Sequence, residues 1–181
     1  MATLQFKRVT KDVEYLPFDC GVDSINEYVK NSYYPTIIQQ AYAYCIMSNH
    51  IILGYYQILF REIELDDFPD EISEYNADIK EDKISSVHIR YLAIEKKYQN
   101  KKIGTNTLQV IIKDIEQFAE NWPIRVITID ARNDLVEWYE KQGFKRMRKN
   151  TVGQDISTEA MYFDCMRFSD ELETYLESQY E

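Results

Sequence analysis

The sequence predicts an α/β (α+β) fold in which a mixed sheet carries helices on its faces. Runs typical of strands are separated along the chain by runs typical of helices, a pattern that places helices against a sheet. The chain has 181 residues, 45% of them hydrophobic, which suffices for one sizeable core and suggests no second one. We therefore expect residues 1–181 to form a single domain.

The central unit of this domain joins a strand, a turn and a helix from Ser85 to Ala119. Its first part alternates along the chain and is rich in β-branched and aromatic residues, as strands are. From Leu108 onward apolar residues recur at helical spacing, which predicts an amphipathic helix that ends before Pro123. Residues 99–105 would then present backbone N–H groups at a helix N-terminus, where free donors and the helix dipole favour an anion. The sequence therefore predicts a phosphate-binding turn.

Turns and periodicity predict the remaining elements. Those before the central unit are an edge strand from Thr3 to Val9, a helix capped by Asp23 or Ser24, helical character from Pro35 to Gln40, and a hairpin of Tyr42–Met47 and Ile51–Phe60 around Ser48-Asn49-His50. Those after it are a strand from Ile124 to Asp130, a helix over 133–142 ended by Gly143, and strands from Phe144 to Arg148 and from Ala160 to Arg167.

Charge is unevenly distributed. Lys and Arg number 21 against 31 Asp and Glu, a formal charge of −10, which disfavours wrapping nucleic acid and favours cationic partners. The acids concentrate in residues 62–82 and from Ser169 to Glu181. Residues 62–82 have little periodicity, so we expect a loop or short helices there. This acidic loop is either a solvated face or one wall of a substrate groove that attracts an amine.

The cysteines and the apolar runs bear on the cellular compartment. Cys20, Cys45 and Cys165 are odd in number and widely spaced, which indicates neither a disulfide framework nor a zinc site. No apolar run reaches the roughly 20 residues that span a bilayer, and the start lacks the apolar segment of a signal peptide. We expect a soluble cytoplasmic protein with no membrane partner and no metal. The sequence does not determine the oligomeric state, and a homodimer is one arrangement that it allows.

Two motifs resemble those of the GNAT N-acetyltransferases, the acetyl-CoA-dependent superfamily. That family's acetyl-CoA signature is Gln or Arg, two residues, Gly, one residue, then Gly or Ala. Gln99 and Gly104 match it, whereas Lys102 stands at the first Gly. Farther along, Glu137–Phe144 resembles the family's Tyr-Glu-Lys-x-Gly-Phe segment in order and spacing. If the Lys102 position needs a positive φ, a lysine there carries strain that glycine would not.

A third motif resembles a GNAT subgroup that includes toxins acetylating aminoacyl-tRNA. It consists of Phe18-Asp19-Cys20-Gly21, then Ile25-Asn26 and Tyr28-Val29, with Gly54-Tyr55-Tyr56 similar to that subgroup's third strand. The alternative is a plain turn and helix cap. The resemblance as a whole implies a single N-acetyltransferase domain, with its cofactor-binding core at about 85–147. It also implies six or seven strands, the central fourth and fifth splayed apart to admit acetyl-CoA.

The resemblance assigns cofactor-binding roles to two segments and one asparagine. Backbone groups of Leu92, Ala93 and Ile94 would pair with the pantetheine arm, and Asn133 would hydrogen-bond it. The turn would take the pyrophosphate, through Gln99, Asn100, Lys101, Lys102, Ile103, Gly104 and Thr105. Lys101 and Lys102 are alternatively surface residues that aid solubility.

The same resemblance assigns two catalytic residues. Tyr139 would be the general acid that protonates the departing thiolate, the alternative being an aromatic residue packed beside Trp138. His88, four residues before Leu92, would share that residue's face and act as the general base, directly or through water. The alternative is a hydrogen-bonded strand histidine. Arg90 would bind an anionic group of the substrate or pair with the acidic loop.

Three functions remain open at this point. The first is an N-acetyltransferase acting on a primary amine of a small molecule, peptide or protein. The second is a toxin that acetylates the amino group of charged tRNA, favoured by the cations Lys145, Arg146, Arg148 and Lys149 and disfavoured by the overall charge. The third is a non-catalytic acyl-CoA-binding module, which a Tyr139 distant from the cofactor's sulfur would favour.

Overall fold

The structure is a computed structural model that describes residues 4–69, 82–148 and 158–166, together with 172, 174, 175 and 178. The strands in these ranges are β1 Gln5–Arg8, β2 Tyr42–Ser48, β3 Ile51–Glu64, β4 Lys83–Ile94, β5 Val126–Arg132, β6 Lys145–Arg146 and β7 Thr158–Asp164. The α-helices are α1 Asp23–Lys30, α2 Tyr33–Ile37, α3 Ile103–Ala119 and α4 Val136–Glu140. No helix of the described ranges combines the length and apolar character needed to cross a bilayer.

The strands form one sheet of seven, in the order β1-β2-β3-β4-β5-β7-β6. β4 and β5 are parallel and are joined across α3, whereas the other neighbours are antiparallel. The prediction of a mixed sheet of six or seven strands with flanking helices is therefore confirmed. The predicted hairpin is present as well, since β2 and β3 pair in antiparallel fashion up to Ser48 and Ile51. Asn49 and His50 between them both have positive φ, as a tight two-residue turn between twisted strands requires.

The core occupies both faces of the sheet. On one face α3 contributes Leu108, Ile111 and Ile115, which pack with Ile89 of β4 and Ile127 of β5. The helical spacing of these apolar residues is what directs one side of α3 into the sheet. On the other face α1 packs through Val29 against a second cluster that includes Tyr55, Tyr91 and Ala93.

Two irregularities in β4 determine where a ligand can enter. First, Gln57 of β3 pairs with Tyr91 while the next residue, Ile58, pairs with Ile89, so Arg90 is the extra residue of a β-bulge. Second, β4 pairs with β5 only over Ser86–Ile89, although both strands continue farther. The predicted splaying of the fourth and fifth strands is thus present, and it begins at the bulge.

Some predicted boundaries are wrong for identifiable reasons. β3 continues to Glu64 because Glu62 and Glu64 alternate with buried Ile63 and pair with β4, so these acids lie on a strand rather than in a loop. Neither Asp23 nor Ser24 caps α1, whose N-cap is Val22 with no side-chain cap. The predictions for residues 70–81 and for most of the C-terminal tail lie outside the described residues.

Candidate active site

A cavity of about 520 Å³ lies beside the separated ends of β4 and β5 and the N-terminus of α3. Nine predicted site residues line it: Leu92, Ile94, Gln99, Asn100, Lys102, Ile103, Gly104, Thr105 and Tyr139. The structure therefore brings both parts of the sequence motif, the turn and the Tyr139 segment, to one cavity. Ala93, Lys101, Asn133 and His88 are not among its lining residues.

The turn before α3 is shaped to present backbone donors. Asn100 and Lys102 both have φ of about +60°, and Lys102 is the N-cap residue of α3. The first backbone bond of the helix runs from the Asn106 N–H to the Lys102 carbonyl, so the amides of residues 103–105 have no acceptor within the helix. Alternating left- and right-handed backbone of this kind makes an anion-binding concavity. Lys102 thus has the positive φ at which a lysine carries strain that glycine would not.

The Gln99 side chain donates hydrogen bonds to two backbone carbonyl groups. Its amide Nε2 donates to the carbonyl oxygens of Cys20, at 2.8 Å, and Ile94, at 3.0 Å. These bonds tie the turn to the end of β4 and to the N-terminal segment. Gln99 thus positions the cavity wall that it lines.

The N-terminal motif forms a hydrogen-bonded clasp at the same place. Asp19 Oδ1 accepts from the Gly21 N–H at 2.7 Å and from Asn26 Nδ2 at 3.2 Å, and Asn26 Oδ1 accepts from the Cys20 N–H at 2.9 Å. The backbone bond from Gly21 is the main cause of the lowered pKa of Asp19. The Asp19 carbonyl in turn accepts from the Lys96 N–H at 2.8 Å. The motif therefore holds a turn against the loop that follows β4.

The end of β4 presents alternate residues to opposite faces. Leu92 and Ile94 point into the cavity, whereas Ala93 is buried in the cluster on the α1 face. A Cβ at Gly54 of β3 would collide with the Ala93 carbonyl oxygen, so only glycine allows this close approach. Because β5 leaves β4 after Ile89, the β5-facing edge of this segment is free of strand pairing.

Tyr139 lines the cavity from α4 and packs among other aromatic side chains. Its ring lies edge-on to Trp138 at 4.6 Å and to Phe144 at 5.6 Å between centroids. Burial raises the pKa of the phenol above its ordinary value, so the hydroxyl keeps its proton at neutral pH. A general acid must be protonated, and this environment provides that state.

His88 does not share a face with Leu92. The bulge at Arg90 shifts the alternation by one residue, so Ile89 packs with Leu92 while His88 lies on the opposite face. Its side chain is 2% exposed, and Nδ1 lies 3.1 Å from Thr128 Oγ1. Burial, with the cations Arg61 and Arg90, lowers the pKa of His88 to about 3. The imidazole is therefore neutral but a weak proton acceptor, and its role as general base stays a prediction.

Asn133 and Lys101 lie next to lining residues. Asn133 begins a short 3-10 helix whose other residues, Asp134 and Leu135, do line the cavity. The Lys101 ammonium lies 5.4 Å from the centroid of the Tyr98 ring, and Tyr98 is another lining residue. Their assigned roles stay predictions.

Residues 76–165 match the family model of the acetyltransferase (GNAT) domain. The chain carries a GNAT acetyltransferase domain. The resemblance inferred from the turn and the Tyr139 segment is thereby confirmed, and the chain is an acetyltransferase. No curated protein sequence matches it significantly.

Solved structures share the GNAT fold over nearly the whole chain. A crystal structure of a tyrosine-to-phenylalanine mutant of KacT superposes with a TM-score of 0.75 and 17% identity, covering 95% of this chain and 98% of that one. AtaT complexed with acetyl-methionyl-tRNAfMet gives a TM-score of 0.73 and 19% identity, covering 99% and 100%. AtaTR bound with AcCoA gives a TM-score of 0.70 and 20% identity, covering 96% and 98%. At these identities the likeness shows the fold.

Six residues that line the cavity were not predicted: Cys20, Tyr98, Arg132, Asp134, Leu135 and Trp138. Four of them follow strand β5 directly or flank Tyr139, so the usual position of ligand sites at strand ends could have indicated them. Cys20 carried no such signal, because only the clasp brings it to the cavity. The three cysteines are free, and the described residues hold no cluster of His, Cys, Asp and Glu that could bind a metal.

Proposed function

We propose that the protein is an acetyl-CoA-dependent N-acetyltransferase that acts on the primary amine of a small molecule, peptide or protein. The observation that carries this proposal is the single cavity in which the N-terminus of α3, the free edge of β4 and Tyr139 meet. An acyl-CoA needs an anion site, a surface for its extended arm and a proton source for its sulfur. These three features provide them.

The residues present fit acetyl-CoA. The unpaired amides of residues 103–105 suit the pyrophosphate, and the charge of Lys102 adds to the helix dipole. The free edge of Leu92–Ile94 can hydrogen-bond the pantetheine arm as an added strand would. Asn133, at the start of its 3-10 helix, is the proposed side-chain partner of that arm. A cavity of about 520 Å³ is within the range of small-molecule sites.

The chemistry assigns one role to each group. Bound acetyl-CoA supplies a thioester whose carbonyl carbon an amine can attack, so that a C–N bond forms and the C–S bond breaks. A backbone N–H freed at the splayed end of β4 stabilises the carbonyl oxygen. Tyr139 donates its proton to the departing sulfur, and the amine gives up a proton. Since His88 is buried with a low pKa, water at the strand split is the better candidate to take it.

Acetylation of charged tRNA is a second candidate. AtaT complexed with acetyl-methionyl-tRNAfMet has the same fold over the whole of both chains, which favours this acceptor. The cations considered for an RNA surface are less available than the sequence suggests, because Arg146 pairs with Glu140 at 2.9 Å. Lys149 lies outside the described residues.

Two measurements test the proposal. Calorimetry should show micromolar binding of acetyl-CoA, about 8 kcal/mol. Release of free coenzyme A should then be followed with free amines, basic peptides and methionyl-tRNA at one stated salt concentration. Release with at least one acceptor supports the proposal. Binding without release for any acceptor would instead favour the non-catalytic module.

A further inference from the structure

A cluster of polar side chains lies on the sheet face opposite α3 and extends from the paired part of β4 to the point where β4 and β5 separate. Gln57 and Arg61 of β3, His88 and Arg90 of β4, and Asp130 of β5 belong to it. Buried Gln57 accepts a hydrogen bond from the Arg90 guanidinium at 3.2 Å. His88 Nε2 lies 3.8 Å from Asp130 Oδ2, beyond hydrogen-bonding distance. The proposed transfer chemistry uses none of these side chains directly.

The two half-buried charged residues of this cluster, Asp130 and Arg61, form no ion pair with each other. The Asp130 side chain is 27% exposed, and burial raises the pKa of its carboxyl while Arg61 opposes that change. The Arg61 guanidinium makes no hydrogen bond or ion pair within 4.0 Å with any residue of the described ranges. Burying a charge without a close partner is unfavourable. Such an arrangement is explained if a ligand supplies the missing partners.

The cluster adjoins the cavity that is proposed to bind acetyl-CoA. Asp130 and Arg132 are two residues apart on β5 and share a face, roughly 7 Å apart along the strand. Arg132 lines the cavity, and so does Cys20 from the α1 side, whereas Leu92 and Tyr139 line it from the α3 side. The cavity therefore reaches through the split to the face on which Asp130 stands. An amine held at Asp130 would approach the thioester from that face.

We propose that Asp130, Arg61 and Arg90 form the acceptor subsite and select an amine that also carries a phosphate or carboxylate. Asp130 receives the ammonium, and the two guanidiniums receive the anionic group. Neutral His88, hydrogen-bonded to Thr128, lies 3.8 Å from Asp130 and adds no charge to the subsite. The inference rests on the proposed acetyl transfer. The acceptor it names differs from the cationic or neutral acceptor that the overall charge of −10 predicts. The local charge decides, because screening limits remote surface charges to about 10 Å.

The test compares matched acceptors on matched variants. Initial rates of coenzyme A release are measured with ethanolamine and phosphoethanolamine, which differ by one phosphate, and with methionyl-tRNA. The variants are Arg61→Gln, Arg90→Gln and Asp130→Asn, with Arg61→Lys as the conservative change. Lys113→Gln removes one exposed charge from α3 and is the control for overall charge.

The wild type should prefer phosphoethanolamine over ethanolamine by at least about tenfold in kcat/KM. Arg61→Gln and Arg90→Gln should bring that ratio towards one, mainly by raising KM for phosphoethanolamine, whereas Arg61→Lys should retain part of it and Lys113→Gln all of it. Asp130→Asn should raise KM for both amines. Acetyl-CoA affinity should not change in any variant. A matching loss with methionyl-tRNA would identify the RNA phosphates as a source of the anion.

Two results would overturn the subsite. Equal kcat/KM for the two amines, with no change in the arginine variants, would do so while the acetyltransferase proposal stands. No coenzyme A release with any amine, basic peptide or charged tRNA would remove both proposals. If Arg61→Gln melts at a much lower temperature than the wild type, the exposed Arg90→Gln variant decides the question.

Discussion

Tyr139 is a buried residue that lines the cavity beside the N-terminus of α3. Trp138 and Phe144 both pack edge-on with this ring, and such ring contacts do not require the hydroxyl. Burial raises the pKa of the phenol, so it is present as the acid throughout the neutral range. Packing requires the ring and the proposed acid catalysis requires the hydroxyl, so a substitution can separate the two.

Tyr139→Phe should lower kcat by roughly 10²–10⁴-fold, because general acid help has that size, and should leave the Kd for acetyl-CoA nearly unchanged. Calorimetry and steady-state rates measure the two quantities. Tyr34→Phe, at a 65% exposed residue of α2, is the matched control. A loss of turnover under about threefold would assign Tyr139 to packing alone.

His88 should make the protein less stable in acid. Its pKa in the folded chain is about 3 against an ordinary 6.5, so only the unfolded chain takes up this proton between those values. The contribution of His88 to the free energy of unfolding is therefore largest above pH 6.5. It falls as the pH falls towards 3, by about 1.4 kcal/mol per pH unit. Between pH 7 and 5 the wild type should lose about 2 kcal/mol more than His88→Gln in urea unfolding.

Equal losses in the wild type and His88→Gln would contradict the buried, neutral state of this imidazole. The His88→Gln variant also tests whether His88 is the general base. We expect its turnover to follow pH as the wild type does between pH 6 and 9, because a group with a pKa of about 3 does not titrate there. A shifted profile would restore His88 as the base.

At the scale of elements, the turn and the N-terminus of α3 form the proposed anion site. A Cβ at Gly104 would lie 3.7 Å from Ile94 Cγ1 and 3.9 Å from Trp138 Cζ2, both ordinary contacts. Gly104→Ala should therefore fold, gain up to about 1 kcal/mol from helix propensity and keep most acetyl-CoA affinity. Gly104→Glu should abolish binding in calorimetry, because it places a carboxylate among donors meant for phosphate. Unchanged affinity in Gly104→Glu would remove the turn from the site.

Lys102 carries strain that its neighbour lacks. Its φ is +60°, a conformation that disfavours side chains with a Cβ, whereas Lys101 is not among the residues of positive φ. Lys102→Gly should raise the free energy of unfolding by about 1 kcal/mol in urea titration. Lys101→Gly removes the same charge and should give no such gain. Equal effects of the two substitutions would mean that Lys102 is not strained.

Local patterns predicted the elements well and the strand faces less well. The turn at Gln99–Thr105 and the hairpin at Asn49 and His50 depend on nearby residues, which the sequence displays. His88 was placed on the wrong face because a bulge is set by pairing with β3, thirty residues away, and alternation within β4 contains no sign of it. Similarly, the clasp that brings Cys20 to the cavity depends on contacts with Gln99 and Lys96, distant in the chain.

At the scale of the whole molecule, overall charge and local charge point in different directions. The formal charge of −10 disfavours a polyanionic partner, but Arg90 stands at the split through which an acceptor would approach, and Arg61 is on the same face of the sheet. The acceptor therefore has to be found by measuring transfer.

The most direct test of the account measures both products of one reaction. Wild-type protein is incubated with acetyl-CoA and each acceptor, free coenzyme A is quantified, and the acceptor is weighed by mass spectrometry. We predict one acetyl group gained by an amine for each coenzyme A released, with both signals falling together in Tyr139→Phe. Tight acetyl-CoA binding with no acetylated product from any amine, peptide or charged tRNA would contradict the account.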